Sequence, residues 1–170
     1  MSSSVLGGSV KPRLIASLAV CAALALATTG CSMISPQATT IAYSAADGVN
    51  VPDSGPVQVR NAFIVATEDG AQGNLIAAFV NDTDSSETVT IEVGDSGADT
   101  ITVRIPARTT VSLGADEPPI LIEALDTLPG ADTPGHFQSG DAEGSLASLP
   151  VLDGSLPYLT DLVPEAAVAE

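Results

Sequence analysis

The chain is poor in positive charge, cysteine, histidine and aromatic rings, and each shortage removes a class of function. Only five of its 170 residues are Lys or Arg, and two of these, Lys11 and Arg13, stand near the start. From Cys31 onward, 21 acidic residues face only Arg60, Arg104 and Arg108, a formal charge of −18 with no lysine. Such a surface repels phosphate backbones and anionic head groups, so no nucleic acid partner is expected. The plain reading of the acidity is solubility. A cation or a basic partner is the sharper reading, and no single residue points to it. With five aromatics and no Trp, the interior must be filled by Val, Ile, Leu and Ala. No long apolar stripe of helical period follows Cys31, which argues against a helical bundle.

What is present begins with residues 14–31, LIASLAVCAALALATTGC, an apolar run closed by small residues and a cysteine. A positive start, an apolar centre and a small-residue exit form the layout of a secretory signal. Thr28, Thr29 and Gly30 before Cys31 resemble a bacterial lipobox, whose cysteine is lipidated and becomes the new N-terminus. Such a box normally has Leu where Thr28 stands. Two rival outcomes use the same run. An uncleaved membrane helix needs ~20 apolar residues, more than lie between Leu14 and Thr29. Ordinary secretion would cut nearby without adding lipid. We adopt the lipid reading: residues 1–30 as signal peptide, Cys31 as lipidation site, and the remainder extracytoplasmic on the outer face of the cell membrane. Its partners are then the membrane, through the lipid, and a candidate envelope protein. Cys21 leaves with the signal, so Cys31 has no partner for an intramolecular disulfide.

Residues 31–56, rich in Ser, Thr, Ala, Pro and Gly, suit a flexible tether in which Ile41 and Tyr43 open a short edge strand. Gly55-Pro56 marks the entry to a β domain over 57–164, and 165–170 reads as a frayed tail. In 57–67, Val57, Val59, Phe63 and Val65 are expected on one face, interrupted by Asn61, with Gln58, Arg60 and Ala62 on the other. Asp69-Gly70 is a turn. Residues 75–80 are almost continuously apolar, as in a central strand covered on both sides.

The following hairpin can be registered. Residues 88–93 and 100–105 make one apolar face only if Ile91 opposes Ile101, Val89 opposes Val103 and Thr88 opposes Arg104. Pro106 ends it, and 108–113 supplies another strand. Residues 120–125 alternate weakly. Residues 126–144, with two prolines and four glycines, read as a loop. Residues 145–152 form the last strand, after which Leu156, Tyr158, Leu159 and Leu162 are expected to fold over one end of the core. Six or seven short strands between turns predict an all-β protein. The expected form is an antiparallel β-sandwich, an Ig-like or cupredoxin-like Greek key. The cysteine pair about a Trp that marks an antibody domain is missing.

Three motifs suggest chemistry, and each has a plainer reading. Gly94-Asp95-Ser96-Gly97 matches the nucleophile motif of chymotrypsin-like proteases, but the single histidine follows it and no matching sequence surrounds that histidine. The same residues suit the hairpin loop. His136 lies in the expected loop as a partly exposed residue. Asp82, Asp84 and Glu87 suggest calcium, yet lack the glycine and terminal glutamate of an EF-hand. No phosphate loop, zinc-type cysteine pairing or dinucleotide fingerprint occurs. No catalytic residue, metal ligand or cofactor is therefore assigned.

DGVN at 47–50, VRNAFIV at 59–65, GNLIAAFVN at 73–81 and LPVLDG at 149–154 look like actinobacterial envelope lipoproteins. These in turn look like distant relatives of the PCu(A)C periplasmic copper chaperones. The resemblance runs over roughly 41–164 and implies a β-sandwich. Chaperones of that family take Cu(I) through paired His-x-Met motifs, whose soft ligands suit that ion. With His136 the single histidine and no methionine after Met33, neither motif can be assembled. The resemblance thus implies a relative of the fold without the copper site. The expected function is a non-catalytic, lipid-anchored envelope protein, a binding or structural module. The alternative is a metal-binding or metal-delivery lipoprotein derived from the chaperone fold.

Overall fold

The computed structural model describes residues 12–29, 45–94 and 99–165. The chain separates into two units, Met1–Tyr43 and Ser44–Glu170. In the first, helix α1 (Pro12–Thr29) forms because a run of Ala, Leu and Val follows a proline at the first helical position. Its Ile15, Leu18 and Val20 are exposed. At 1.5 Å per residue it is about 27 Å long, against ~30 Å for a hydrocarbon core. Among the described residues no helix is long and apolar enough to cross a membrane.

The second unit is nearly all strand: β1 (Val49–Val51), β2 (Val57–Ala66), β3 (Gly73–Asn81), β4 (Glu87–Val93), β5 (Asp99–Ile105), β6 (Thr109–Leu113), β7 (Ile120–Ile122), β8 (Asp132–Ser139) and β9 (Ser145–Leu152). Their order is β5-β4-β8-β9-β2-β3-β6, with β1 on β2 and β7 on β3. β9 joins two layers. It runs antiparallel to β8 as far as Pro150, then sets Val151 and Leu152 parallel to Ile64 and Val65 of β2. This parallel step makes the sandwich mixed and barrel-like, where a purely antiparallel one was expected. Past Pro150 the chain still bonds the segment leading into β8, Val151 N donating to the Ala131 carbonyl oxygen at 2.9 Å, while Val151 and Leu152 take up β2 on the other side. Val59, Ile64, Leu75 and Phe79 of one layer meet Val89, Ile91, Phe137 and Leu149 of the other, all fully buried.

The β4–β5 hairpin has the register that a single apolar face requires, Ile91 opposite Ile101, Val89 opposite Val103 and Thr88 opposite Arg104. β3 is central, with β2 on one side and β6 and β7 on the other.

Two local expectations change, and a third lies outside the described residues. First, Asn61 reverses the faces of β2. Arg60 pairs with Ala78 and Phe63 with Ile76, so β2 carries one more residue than β3 across this step. Asn61 takes the extra place at φ 48°, a left-handed conformation that asparagine tolerates. Its Oδ1 accepts from Gly48 N at 2.8 Å, and its N–H donates to Asn50 Oδ1 at 3.2 Å. A side chain at Gly48 would meet the Ala62 carbonyl oxygen at 2.5 Å, so only glycine lets the strands approach. Beyond the bulge, Ala62, Ile64 and Ala66 join Val57 and Val59 in the main core. Phe63 and Val65 turn outward instead, into a second cluster with Ile76 and Leu159.

Second, residues 132–139 are strand β8, not loop, and His136 lies on it. Thr133, Phe137 and Ser139 alternate into the interior, with Gly135 pressed against Leu149. Pro134 is tolerated because the β4 ladder ends one residue later, at Gly135 opposite Val93. Third, the edge strand expected from Ile41 and Tyr43 falls outside the described residues; within them an edge strand lies at β1, on β2. The C-terminal cover forms in part. Leu159 is buried and Leu162 packs beside it, held by Asn74 Nδ2 donating to the Leu162 carbonyl oxygen at 2.9 Å. Leu156 and Tyr158 stay exposed.

Candidate functional site

Among the described residues, those singled out by motif do not converge. Thr28 and Thr29 end α1, while Gly30, Cys31 and Ser96 lie outside the described residues. Gly94 opens the hairpin turn at φ 83° and donates its N–H to the Pro134 carbonyl oxygen at 2.9 Å. His136 stands between Glu92 of β4 and Leu146 of β9, with Nε2 3.2 Å from the Glu143 carbonyl oxygen. Asp84 is held by Arg108, which donates from Nε at 2.9 Å and Nη2 at 2.8 Å. Glu87 accepts from Ser85 Oγ at 2.7 Å. Among the described residues no three of His, Cys, Asp and Glu come together as metal ligands.

A concave, largely apolar surface among the described residues lies elsewhere, where the chain leaves β9. Asp153 makes the turn, its Oδ1 accepting from Ser155 Oγ at 2.6 Å and Ser155 N at 3.1 Å. Those bonds hold its carboxyl below the usual aspartate value. Thr160 Oγ1 closes the segment on itself by donating to the Gly154 and Leu156 carbonyl oxygens. Leu159 then plugs onto Phe63 and Val65.

The facing wall is the loop between β7 and β8. Gly130 N donates to the Val151 carbonyl oxygen at 2.8 Å, and Val151 N returns to that of Ala131 at 2.9 Å. Thr127 N donates to the Gly70 carbonyl oxygen at 3.1 Å, tying the loop to the β2–β3 turn. In that turn Asp69 accepts from Thr67 Oγ1 and Ala71 N, which lower its pKa.

Two cavities lie between these walls and share Pro129 and Asp153. One, of about 320 Å³, reaches Asp47, Leu156 and Leu159; the other, of about 450 Å³, reaches Ala66, Glu68, Leu128 and Val163. Together they form a groove. Leu128 is 61% exposed, Leu156 45% and Tyr158 58%. The Tyr158 hydroxyl donates to Asp47 Oδ1 at 3.1 Å. Partial desolvation, then that hydrogen bond, then the charge of Asp47 raise the phenol above the ordinary tyrosine pKa. The sequence reading missed this site because it took Leu156 and Tyr158 for core cover and Leu128 for part of a polar loop. The available signal was apolar residues beside proline, Leu128-Pro129 and Leu156-Pro157-Tyr158, in polar surroundings.

No protein-family model and no curated protein matches the chain. Solved structures similar to it include the apo PmoF2 PCuAC domain, at 10% identity, covering 64% of this chain and 98% of that domain, with a TM-score of 0.49. The apo PCuAC domain from PmoF1 has 14% identity, coverages of 59% and 97%, and a TM-score of 0.45. The copper-bound PCuAC domain from PmoF2 has 12% identity, coverages of 62% and 97%, and a TM-score of 0.46. The similarity is distant.

Proposed function

We propose that this chain is a non-catalytic, lipid-anchored protein of the cell envelope whose β unit is a binding module displayed outside the membrane. The observation that carries the binding role is the groove between the β7–β8 loop and the C-terminal segment. Its floor is apolar, and Leu128, Leu156 and Tyr158 remain exposed about it while Leu159 is buried. Exposed apolar residues gathered on a concave surface mark interaction sites. For the location, the support is α1: apolar, with side chains exposed, preceded by Lys11 and followed by Gly30-Cys31. Metal delivery has less support. The single histidine is engaged at the Glu143 carbonyl oxygen, and Asp84 and Glu87 have partners of their own.

The anchor is tested by metabolic labelling with palmitate and by globomycin. The wild-type chain should take up label and accumulate as precursor under the drug, and Cys31→Ser should do neither. Equal labelling of both chains removes the anchor. The binding role is tested in intact cells with p-benzoylphenylalanine at Leu128, against the same probe at the exposed Thr102 of β5. Adducts of defined mass at Leu128 alone are expected. Identical patterns at both positions remove the groove as the binding surface.

A further inference from the structure

The groove has a chemical bias beyond being apolar. Asp47, Glu68 and Asp153 line it, and among the described residues none that lines it is Lys or Arg. The arginines of the β unit are elsewhere: Arg60 donates to Gln58 Oε1, Arg104 stands on β5 opposite Thr88, and Arg108 pairs with Asp84. The Tyr158 ring, 58% exposed, sits next to the Asp47 carboxylate it hydrogen-bonds. A cation over that ring would meet both its negative face and a carboxylate. We infer that the groove takes a polypeptide segment of another protein in which apolar side chains are flanked by Lys or Arg, a ligand class that rests on the binding-module reading.

Charge complementarity decides between occupants. A second copy of the β unit brings a like net charge and, without lysine, only the three arginines already placed. An anionic lipid surface is repelled for the same reason. A cationic and apolar segment answers both features, with Leu128, Leu156 and the Tyr158 ring receiving its side chains and the carboxylates its charges.

The test uses the full chain in nanodiscs of neutral lipid, with empty discs as blank, and fluorescence anisotropy of three labelled peptides. One has a Leu/Val/Phe centre flanked by lysines, the second the same centre flanked by glutamates, and the third a serine centre flanked by lysines. The first should bind at least about tenfold more tightly than either other, because apolar contact and opposite charge are both needed. Leu156→Asp and Leu128→Asp, at exposed positions, should each weaken it at least about fivefold without altering the circular dichroism. Asp47→Asn should weaken it less, and added salt should reduce the preference over the glutamate peptide.

Equal binding of the two lysine-flanked peptides reduces the effect to polyanion attraction and overturns the inference. So does unchanged binding by both leucine variants. Self-association of the full chain that Leu156→Asp abolishes would give the groove to a second copy, and also overturns it. Crosslinks at Leu128 without a charge preference among peptides leave the binding module standing and remove this ligand class; neither crosslink nor peptide binding removes both.

Discussion

Asn81, at the end of β3, is 1% exposed and fastens the two layers where β5 and β6 meet. Its Nδ2 donates to the carbonyl oxygens of Ser85 at 2.8 Å, Ile105 at 3.1 Å and Pro106 at 3.0 Å. Its Oδ1 accepts from Thr83 N at 3.0 Å and Thr83 Oγ1 at 2.7 Å. Asn81→Ala breaks all of these, but the losses are unequal. Ser85 and Pro106 are exposed and regain water, whereas Ile105 is fully buried and its carbonyl loses a donor that water does not replace. Losing that buried bond costs about 0.5–1.5 kcal/mol, and the other bonds together add about 1 kcal/mol, so the variant should lose about 1.5–2.5 kcal/mol. For a domain of this size the melting temperature should fall by about 6–10 °C. Urea and thermal denaturation followed by circular dichroism measure both quantities. Asn81→Asp keeps the shape and the acceptor for Thr83 but sets a carboxylate oxygen against three carbonyl oxygens, and must lose at least as much. An alanine variant within about 0.5 kcal/mol of wild type, the range of an ordinary surface change, would refute the reasoning.

Two other outcomes follow from particular residues. Phe137→Ala should cost about 3–5 kcal/mol, because Phe137 is fully buried between the layers; a loss below about 1 kcal/mol would return residues 132–139 to a loop. The lowered pKa values of Asp69 and Asp153 give stability that is complete above the ordinary aspartate range. It is lost as pH falls from there through the folded values, since the unfolded chain takes up protons first. Carboxyl carbon NMR titration should place both midpoints below the ordinary value, with Ser155→Ala raising that of Asp153 and Thr67→Val that of Asp69. Midpoints unmoved by these substitutions would show that the hydrogen bonds are not the cause.

Much of the β unit was legible because its strands announce themselves locally. In residues 88–93 and 100–105 of β4 and β5 a polar row and an aliphatic row alternate without fault, so one register satisfies burial and its neighbour does not. β3, apolar at nearly every position, had to be central. The groove was not legible. Whether an apolar residue in a polar stretch plugs a core, as Leu159 does, or stands on a rim, as Leu156 does, depends on which neighbour reaches it first, and Phe63 reaches Leu159.

The amino-acid sequence by itself determined what composition and short-range pattern can carry: the acidic surface, the apolar leader-like helix, the all-β character and the hairpin register. The tertiary structure alone decided which way β2 faces, that residues 132–139 form a strand, and where the surface stays open. The reason is the range of the forces involved. Alternation within a strand is written in adjacent residues. A left-handed Asn61 needs Gly48 and Asn50 to hold it, and Pro134 and Gly135 become strand residues only because Val93 and Leu149 stand where a neighbour is required.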